Sequence, residues 1–375
     1  MYKIIADKLF NGEKTLEDRV ILFDERGIHH VGSDIKEMVK ETFRAKFLTP
    51  GFIDLISGIG LKEESLGKVE GNDLDEATNP QTPELMALDG INPYDEAFPK
   101  AVRGGVTKSL VLPGISNSIG GRGSVIFNFG NNILEMLIKS PFGMRFSVNT
   151  EPKETYMKQK KMPVTRMGNA YLIRDALFKA QEYKKNKKKF SLFEESLQGV
   201  LDKKDKAFFS SFRADDITTS LRISDEFKLD TVIAHGFEGD LVIDEIKKRN
   251  VPVAFGPIIL AKETPELRHL SVQVPAKLIE GGVTVALVSG HPYYPAEFLR
   301  LQVGLLIREG VERDRALKTI TSVPATILGV EEFGRVKEGS KCDLVLFNGV
   351  PWETKSQVEK VFIKGKEAYS RRLPM

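Results

Sequence analysis

The sequence predicts an α/β fold, a (β/α)8 barrel that carries a small β-sandwich assembled from both ends of the chain. Two observations predict it. Short apolar, β-branched runs alternate with helical patterns through the middle of the chain, and both ends consist of strand-like runs separated by turns. The 375 residues suffice for one large barrel and one smaller module. We therefore expect residues 1–49 and 333–375 to form the sandwich and residues 50–332 to form the barrel.

The two ends of the chain show strand and turn patterns. Asn11-Gly12 near the start and Lys364-Gly365 near the end are typical of turns between strands. Two β-rich ends that flank a long α/β middle indicate one small sheet domain to which both ends contribute. The strand-like runs lie at residues 2–9, 17–24, 28–31, 342–347, 358–363 and 366–369.

The middle of the chain contains eight short apolar runs, with helical patterns between several of them. Eight such runs match a (β/α)8 barrel better than an open doubly wound sheet. In a barrel the residues at the C-terminal ends of the strands carry the chemistry, and the long segment 60–102 would cover that mouth. The runs lie at residues 51–57, 106–112, 124–129, 143–148, 207–212, 231–234, 251–255 and 283–288, and the helical patterns at 172–185, 218–227, 241–248 and 275–280.

Composition excludes several classes of protein. A net charge of +3 over this length gives no electrostatic basis for binding nucleic acid, and the Lys-rich run 184–189 is explained as the solvated end of a helix. A single cysteine, Cys342, cannot form an internal disulfide or a Cys-based zinc cluster. No run reaches the roughly 18 apolar residues that a membrane span needs. We therefore expect a cytoplasmic protein without nucleic-acid or membrane partners.

Two motifs lie where the predicted sandwich ends and where it resumes. Pro50-Gly-Phe-Ile-Asp54 resembles the Pro-Gly-x-Ile-Asp-x-His-x-His junction of the amidohydrolase superfamily. Gly334-Arg-Val-Lys-Glu-Gly-Ser-Lys-Cys-Asp-Leu-Val-Leu-Phe347 resembles the Gly-x-Ile-x-x-Gly-x-x-Ala-Asp-Leu-Val run of the same superfamily. Runs such as Thr78-Asn-Pro-Gln-Thr-Pro83 and Met162-Pro-Val-Thr-Arg-Met-Gly168 are similar to its imidazolonepropionase-like, dihydroorotase-related branch. The resemblance covers essentially the whole chain and implies the same barrel and sandwich.

The resemblance also implies where a metal site would lie. Hydrolysis in this superfamily uses one or two divalent ions, bound by imidazoles and carboxylates at several strand ends. Of six ligand positions only the sixth-strand histidine is retained, as His235. The resemblance therefore implies a degenerate metal site, and we expect no metal cofactor. The other five positions, in strand order, are Ile56, Gly58, Thr150 (followed by Glu151), Phe212 and Gly290.

Four polar side chains remain as candidates at the expected barrel mouth. His235 ends the sixth strand and His291 follows the eighth; both are either hydrogen-bonded to loops for packing or part of a ligand pocket with Arg166 and Arg213. Arg213 precedes two aspartates that suit a helix N-terminus, and Arg166 can bind a carboxylate or phosphate in a bidentate contact. The histidines are the candidates for catalysis. The full set of pocket candidates is Arg166, Arg213, His235, His291, Ile56, Gly58, Thr150, Phe212 and Gly290.

The sequence is compatible with three functions. The prediction is a non-hydrolytic pseudoenzyme that binds a small molecule or a partner protein. One alternative is an enzyme that acts without metal, with His235 and His291 transferring protons. The other is a hydrolase of carbon–nitrogen bonds other than peptide bonds, in a cyclic or linear amide, with a metal site built from unrecognised residues. The fold cannot choose among them because function resides in the site. A homodimer is compatible with the resemblance.

Overall fold

Fifteen strands and eleven α-helices make up the part of the chain that the computed structural model describes, residues 1–34, 37–64, 69–186 and 189–371. No helix within these ranges is long and apolar enough to cross a membrane. The strands are β1 (Tyr2–Phe10), β2 (Thr15–Asp24), β3 (Gly27–Gly32), β4 (Thr42–Pro50), β5 (Phe52–Ser57), β6 (Val106–Val111), β7 (Ile119–Phe127), β8 (Leu137–Ser147), β9 (Ala207–Ser211), β10 (Thr231–His235), β11 (Val253–Phe255), β12 (Val285–Leu287), β13 (Leu344–Phe347), β14 (Val358–Ile363) and β15 (Lys366–Ser370). The helices are α1 (Ala97–Arg103), α2 (Ile133–Met136), α3 (Glu151–Lys158), α4 (Arg166–Lys185), α5 (Leu192–Leu201), α6 (Ala214–Phe227), α7 (Ile243–Lys248), α8 (Gln273–Glu280), α9 (Leu299–Arg308), α10 (Arg313–Lys318) and α11 (Ser322–Leu328).

Strands from both ends of the chain share one seven-stranded sheet, in the order β15-β14-β13-β4-β1-β2-β3. Phe23 on β2 and Phe362 on β14 are four strand positions apart, which is about 19 Å in a flat sheet. Their ring centroids are only 4.9 Å apart. The sheet therefore curls so that its two halves face each other, and an apolar core fills the space between them. The division of the chain into domains at residues 49/50 and 332/333 stays a prediction.

The middle of the chain forms an eight-stranded sheet, β5 to β12 in sequence order. The fold class predicted from the sequence is confirmed, and each of the eight apolar runs contains or overlaps one strand. The seam between β12 and β5 is bridged near the C-terminal ends of the two strands, where Gly290 N donates to Ile56 O at 3.2 Å and Gly58 N donates to His291 O at 2.8 Å. The sheet is thus nearly closed into a barrel.

The third strand departs from the regular pattern. β7 runs antiparallel to both β6 and β8, whereas the other neighbouring pairs of this sheet are parallel. A parallel neighbour needs a crossover of a dozen or more residues. Only residues 112–118 separate β6 from β7, so the chain has room to turn back but not to cross over.

Helix starts follow capping residues that the apolar periodicity did not reveal. α4 begins at Arg166, six residues before the predicted start, because the Thr165 hydroxyl accepts from Gly168 N at 3.0 Å. α6 begins at Ala214, where Asp216 accepts from the backbone N–H of Arg213. These hydrogen bonds satisfy N–H groups that the first turn of a helix leaves unpaired.

The Lys-rich run at the end of α4 forms ion pairs in its first half. Lys184 contacts Asp202, and Lys185 lies 2.7 Å from Glu182. Lys187 and Lys188 of the same run lie outside the described residues. The described part of this run therefore behaves as the solvated helix end that the sequence predicted.

Candidate functional site

A small cavity lies at the C-terminal ends of the barrel strands and has a volume of about 50 Å³. Leu74, from the long segment after β5, closes one side of it, and Tyr293 lies at another. The structure brings five of the nine residues predicted from the sequence to this cavity. They are Ile56, Gly58, His235, Gly290 and His291.

His235 ends β10 with a backbone φ of 74°, a left-handed conformation that non-glycine residues seldom adopt. Its Nδ1 lies 2.8 Å from Gly256 O. Its Nε2 is buried and has no hydrogen-bond partner within the described ranges. The Phe212 ring packs edge-on against the imidazole at 5.1 Å, so the residue at the predicted fifth-strand ligand position shields His235 from one side.

The hydrogen bond to Gly256 defines the tautomer of His235. A carbonyl oxygen can only accept, so Nδ1 carries the proton and Nε2 of the neutral ring presents a lone pair. Burial, together with the positive charge of Arg145, lowers the pKa of His235 to about 3. At neutral pH the imidazole is therefore uncharged, and its Nε2 accepts hydrogen bonds.

Arg145 is a charged residue of the cavity lining that sequence reasoning missed. It lies on β8, is 3 % exposed, and donates through Nε to Pro113 O at 3.2 Å. Its Nη1 is buried without a partner among the residues the structure describes. Burial lowers the pKa of Arg145 to about 10, which leaves the guanidinium charged at neutral pH. One signal was available, since this arginine is the only charged residue in the apolar run 143–148.

His291 follows β12 and is buried against the same cavity. Neither ring nitrogen has a hydrogen-bond partner in the described part of the chain. Burial lowers the pKa of His291, which favours the neutral ring. Its backbone is held by Ser289 Oγ, which accepts from His291 N at 3.0 Å. The imidazole is therefore positioned but free to bind.

The Ser289 hydroxyl is hydrogen-bonded to a carboxylate and is not arranged as a nucleophile. Its backbone N–H donates to Asp54 Oδ1 at 2.9 Å, and its hydroxyl donates to Asp54 Oδ2. Desolvation raises the pKa of the fully buried Asp54 to about 6, against the opposing effect of these hydrogen bonds. Asp54 and Ser289 thus join the first and eighth strands at the seam of the barrel.

Three predicted residues do not line the cavity and belong to a separate polar cluster. Arg166 donates through Nε to Asp216 at 2.7 Å and through Nη2 to Glu266 at 2.5 Å. Thr150 donates to the same Glu266 through its hydroxyl, at 2.6 Å. Arg213 caps α6 and donates to Asp215 at 2.9 Å. Nothing in the sequence indicated Glu266 as part of this cluster, because it lies in the connection after β11, far from Thr150 and Arg166 along the chain.

The donor set at the cavity does not fit a divalent ion. Within residues 1–34, 37–64, 69–186 and 189–371, no three His, Cys, Asp or Glu side chains lie close enough together to hold one. A cation in this cavity would meet the imidazoles of His235 and His291, apolar groups and the guanidinium of Arg145, and none of the residues that line the cavity is a carboxylate. Metal ions of this class need several anionic or imidazole ligands and a site without a competing positive charge.

The two glycines at predicted ligand positions are closely surrounded by other atoms. A Cβ on Gly58 would lie 2.7 Å from Leu74 Cδ1 and 3.0 Å from His291 O. Gly290 has a φ of 61°, and a Cβ there would lie 2.8 Å from Pro257 Cδ. Any side chain at these positions would require its neighbours to move.

Known proteins resemble the chain over its whole length. An amidohydrolase from Thermotoga maritima superposes with a TM-score of 0.94 and 36 % identity, covering 99 % of this chain and 100 % of that one. A prolidase complexed with N-methylphosphonate-L-proline shares the fold, with a TM-score of 0.64 at 14 % identity over 99 % of this chain and 100 % of that one.

A longer relative matches by sequence. The amidohydrolase tasK of Hapsidospora irregularis is 25 % identical in an alignment 355 positions long, which covers 85 % of this chain and 36 % of tasK. The chain thus spans about a third of the length of that protein. No family model matches the chain. With 36 % identity over the full length of the Thermotoga protein, the chain belongs to the amidohydrolase superfamily.

Proposed function

We propose that this protein is a non-hydrolytic member of the amidohydrolase superfamily that binds the amide head group of a small molecule at the barrel mouth, without a resident metal. One observation carries the proposal. His235 Nε2, an acceptor, and Arg145 Nη1, a donor, are both buried at one cavity without partners in the described part of the chain. Buried polar groups left unpaired are costly, so such a pair favours a ligand that satisfies both.

The protonation states of these groups select the chemistry of the ligand. An amide offers a carbonyl oxygen to Arg145 and an N–H to His235 Nε2. An ionised carboxylate can accept from Arg145 but has no proton for His235, whose own pKa of about 3 keeps the imidazole from supplying one. The volume of about 50 Å³ accommodates roughly three to four water molecules, or one head group of that size. The remainder of a larger molecule would extend through the mouth.

Hydrolysis of carbon–nitrogen bonds other than peptide bonds is the second candidate function. The naming of the Thermotoga protein and of tasK as amidohydrolases favours it. It would need either a metal site from residues outside the set described above or acid–base chemistry by His235 together with His291. Burial lowers the pKa of both imidazoles, that of His235 to about 3, and weakens each as a base, so the second route is disfavoured.

Acetamide is expected to bind at the cavity, whereas acetate, of nearly the same size, is not. A ligand this small reaches a Kd on the order of millimolar at best. The measurement is the ¹⁵N resonance of His235 Nε2 during titration with each compound, assigned by its loss in His235→Asn. Because His235 Nε2 would accept a hydrogen bond from the amide, its resonance should shift with acetamide but not with acetate. A His235 resonance that acetamide leaves unmoved contradicts the proposal. Acetamide converted to acetate during the titration would instead favour the hydrolase.

Replacing His235 with Asn is expected to have a mild effect that chelator does not alter. The Asn amide can still donate to Gly256 O, so the loss should be about 1 kcal/mol, and at most about 3 if a partner is left unsatisfied. A bound metal would behave differently, since stability would then depend on chelator. The measurement is thermal unfolding of wild type and variant, each with and without EDTA. A large decrease for wild type in EDTA that the variant no longer shows would mean that a metal is bound.

A further inference from the structure

We propose that Thr150 and Arg166 form a carboxylate-binding site at the barrel mouth whose occupant in this conformation is the chain's own Glu266. Glu266 belongs to residues 256–272, which join β11 to α8 and are called the strap here. A free carboxylate that takes the place of Glu266 would release the strap from the mouth. The site is distinct from the cavity of His235, and the inference does not depend on amide binding there.

The burial of Glu266 distinguishes it from its neighbours in the strap. Residues 261–265 are all exposed, as are Arg268 and His269, whereas Glu266 is 7 % exposed. A carboxylate is seldom buried unless it is paired. An acidic side chain that turns inward from an exposed segment therefore marks a site that stabilises a negative charge.

The partners of Glu266 complete a binding site for a planar anion. Thr150 N donates to its two oxygens at 3.1 and 3.2 Å, and the Thr150 hydroxyl donates at 2.6 Å. Arg166 adds a charged hydrogen bond at 2.5 Å, while its Nε is held by Asp216. Neutral donors and a fixed guanidinium around one carboxylate are what recognition of a free carboxylate requires. The occupant comes from a segment 116 residues away in the chain.

The strap also contacts the cavity of His235. Its first residue, Gly256, supplies the carbonyl that accepts from His235 Nδ1. Ile258 N is held by the buried Gln302 at 2.9 Å, so the start of the strap is anchored independently of Glu266. Release at Glu266 would therefore open the exposed middle of the strap while its first residues stay in place.

The test compares Glu266→Gln with Glu263→Gln, a matched change at an exposed position of the same strap. Trypsin cleavage at Lys262 and Arg268, both exposed, reports the release of the strap. Loss of the charged contacts should speed cleavage at these two bonds about tenfold or more in Glu266→Gln. Glu263→Gln should behave as wild type at Arg268, where the two variants are compared, because Glu263 itself adjoins the bond cleaved at Lys262. Equal rates in the two variants would overturn the proposal.

A second measurement separates a carboxylate site from a merely structural contact. Millimolar acetate should raise the Tm of Glu266→Gln but not of Glu263→Gln, and Arg166→Met in the Glu266→Gln background should abolish the effect. Chloride at equal concentration is the control. Faster cleavage of Glu266→Gln without stabilisation by acetate would show only a structural role and overturn the proposal.

If Glu266→Gln does not fold, the proposal is tested on the wild-type protein. Acetate must then compete with a tethered carboxylate, whose effective concentration is on the order of millimolar or higher. Cleavage at Lys262 and Arg268 should accelerate with acetate and saturate, and it should not respond to chloride or acetamide. No acceleration would overturn the proposal. The acetamide signal at His235 is read separately, so failure of either proposal is recognised without the other.

Discussion

Replacing Asp343 with Ala is expected to lower the free energy of unfolding by about 3–5 kcal/mol, the largest loss that we predict for a single substitution. Asp343 pairs with Lys108 Nζ, and both side chains are completely buried. Its other oxygen accepts from Lys364 N at 2.8 Å. The substitution leaves the ammonium of Lys108 without its counter-charge between the barrel and the terminal sheet, where burial already lowers its pKa.

The double variant Lys108→Met with Asp343→Leu tests this explanation. Because it removes both charges, it should recover most of the lost stability, as replacement of buried ion pairs by apolar residues often does. Glu17→Ala, which removes an exposed ion pair with Lys8, is the control and should change stability by less than about 1 kcal/mol. The measurement is urea unfolding of all four proteins. An Asp343→Ala protein as stable as the Glu17→Ala control would contradict the prediction.

Replacing Arg145 with Met is expected to remove acetamide binding while changing the free energy of unfolding by no more than about 1 kcal/mol. Loss of a buried charged donor to a ligand typically weakens binding by about 100-fold, which takes a millimolar ligand below detection. The fold loses the hydrogen bond to Pro113 and the attraction between Arg145 and Asp75. These losses are offset because a cation no longer has to be buried and because Met fills a similar volume.

Arg122→Met on the neighbouring strand is the matched control for this variant. Arg122 is partly buried and donates to Glu84 O at 3.2 Å, away from the residues that line the cavity. The measurement is titration of both variants with acetamide, with the ¹⁵N resonance of His235 Nε2 recorded as for wild type. Retained acetamide binding in Arg145→Met would mean that the amide carbonyl is recognised elsewhere and would remove the main support for the proposed function.

Local patterns were enough to predict the architecture. The eight apolar runs, the turns at the chain ends and the motifs at Pro50–Asp54 and Gly334–Phe347 predicted a barrel with a small composite sheet domain, and they identified the superfamily. These features are encoded by neighbours in sequence, because side-chain alternation and turn preference depend on few residues. His235 and His291 were also found this way, since His235 ends a strand and His291 closely follows one.

The direction of β7 and the pairing of charged residues at the barrel mouth could not be predicted from the sequence and were seen only in the tertiary structure. The run 124–129 predicts a strand, but nothing in it states whether the strand runs parallel or antiparallel to its neighbours; that depends on the length of the connection before it. Arg166 was predicted to bind an anion, and the structure pairs it with Glu266. Sequence periodicity carries no information on which distant loop supplies such a partner.

What the sequence by itself determined is therefore the superfamily, the order of strands and the residue types at the strand ends. What only the tertiary structure decided is how those residues meet: the lone pair of His235 beside the guanidinium of Arg145, and Glu266 bound to Thr150. Strand-forming tendency is a property of a few adjacent residues. Protonation states and unpaired donors depend on burial and on contacts between segments more than 100 residues apart, and these exist only once the chain has folded.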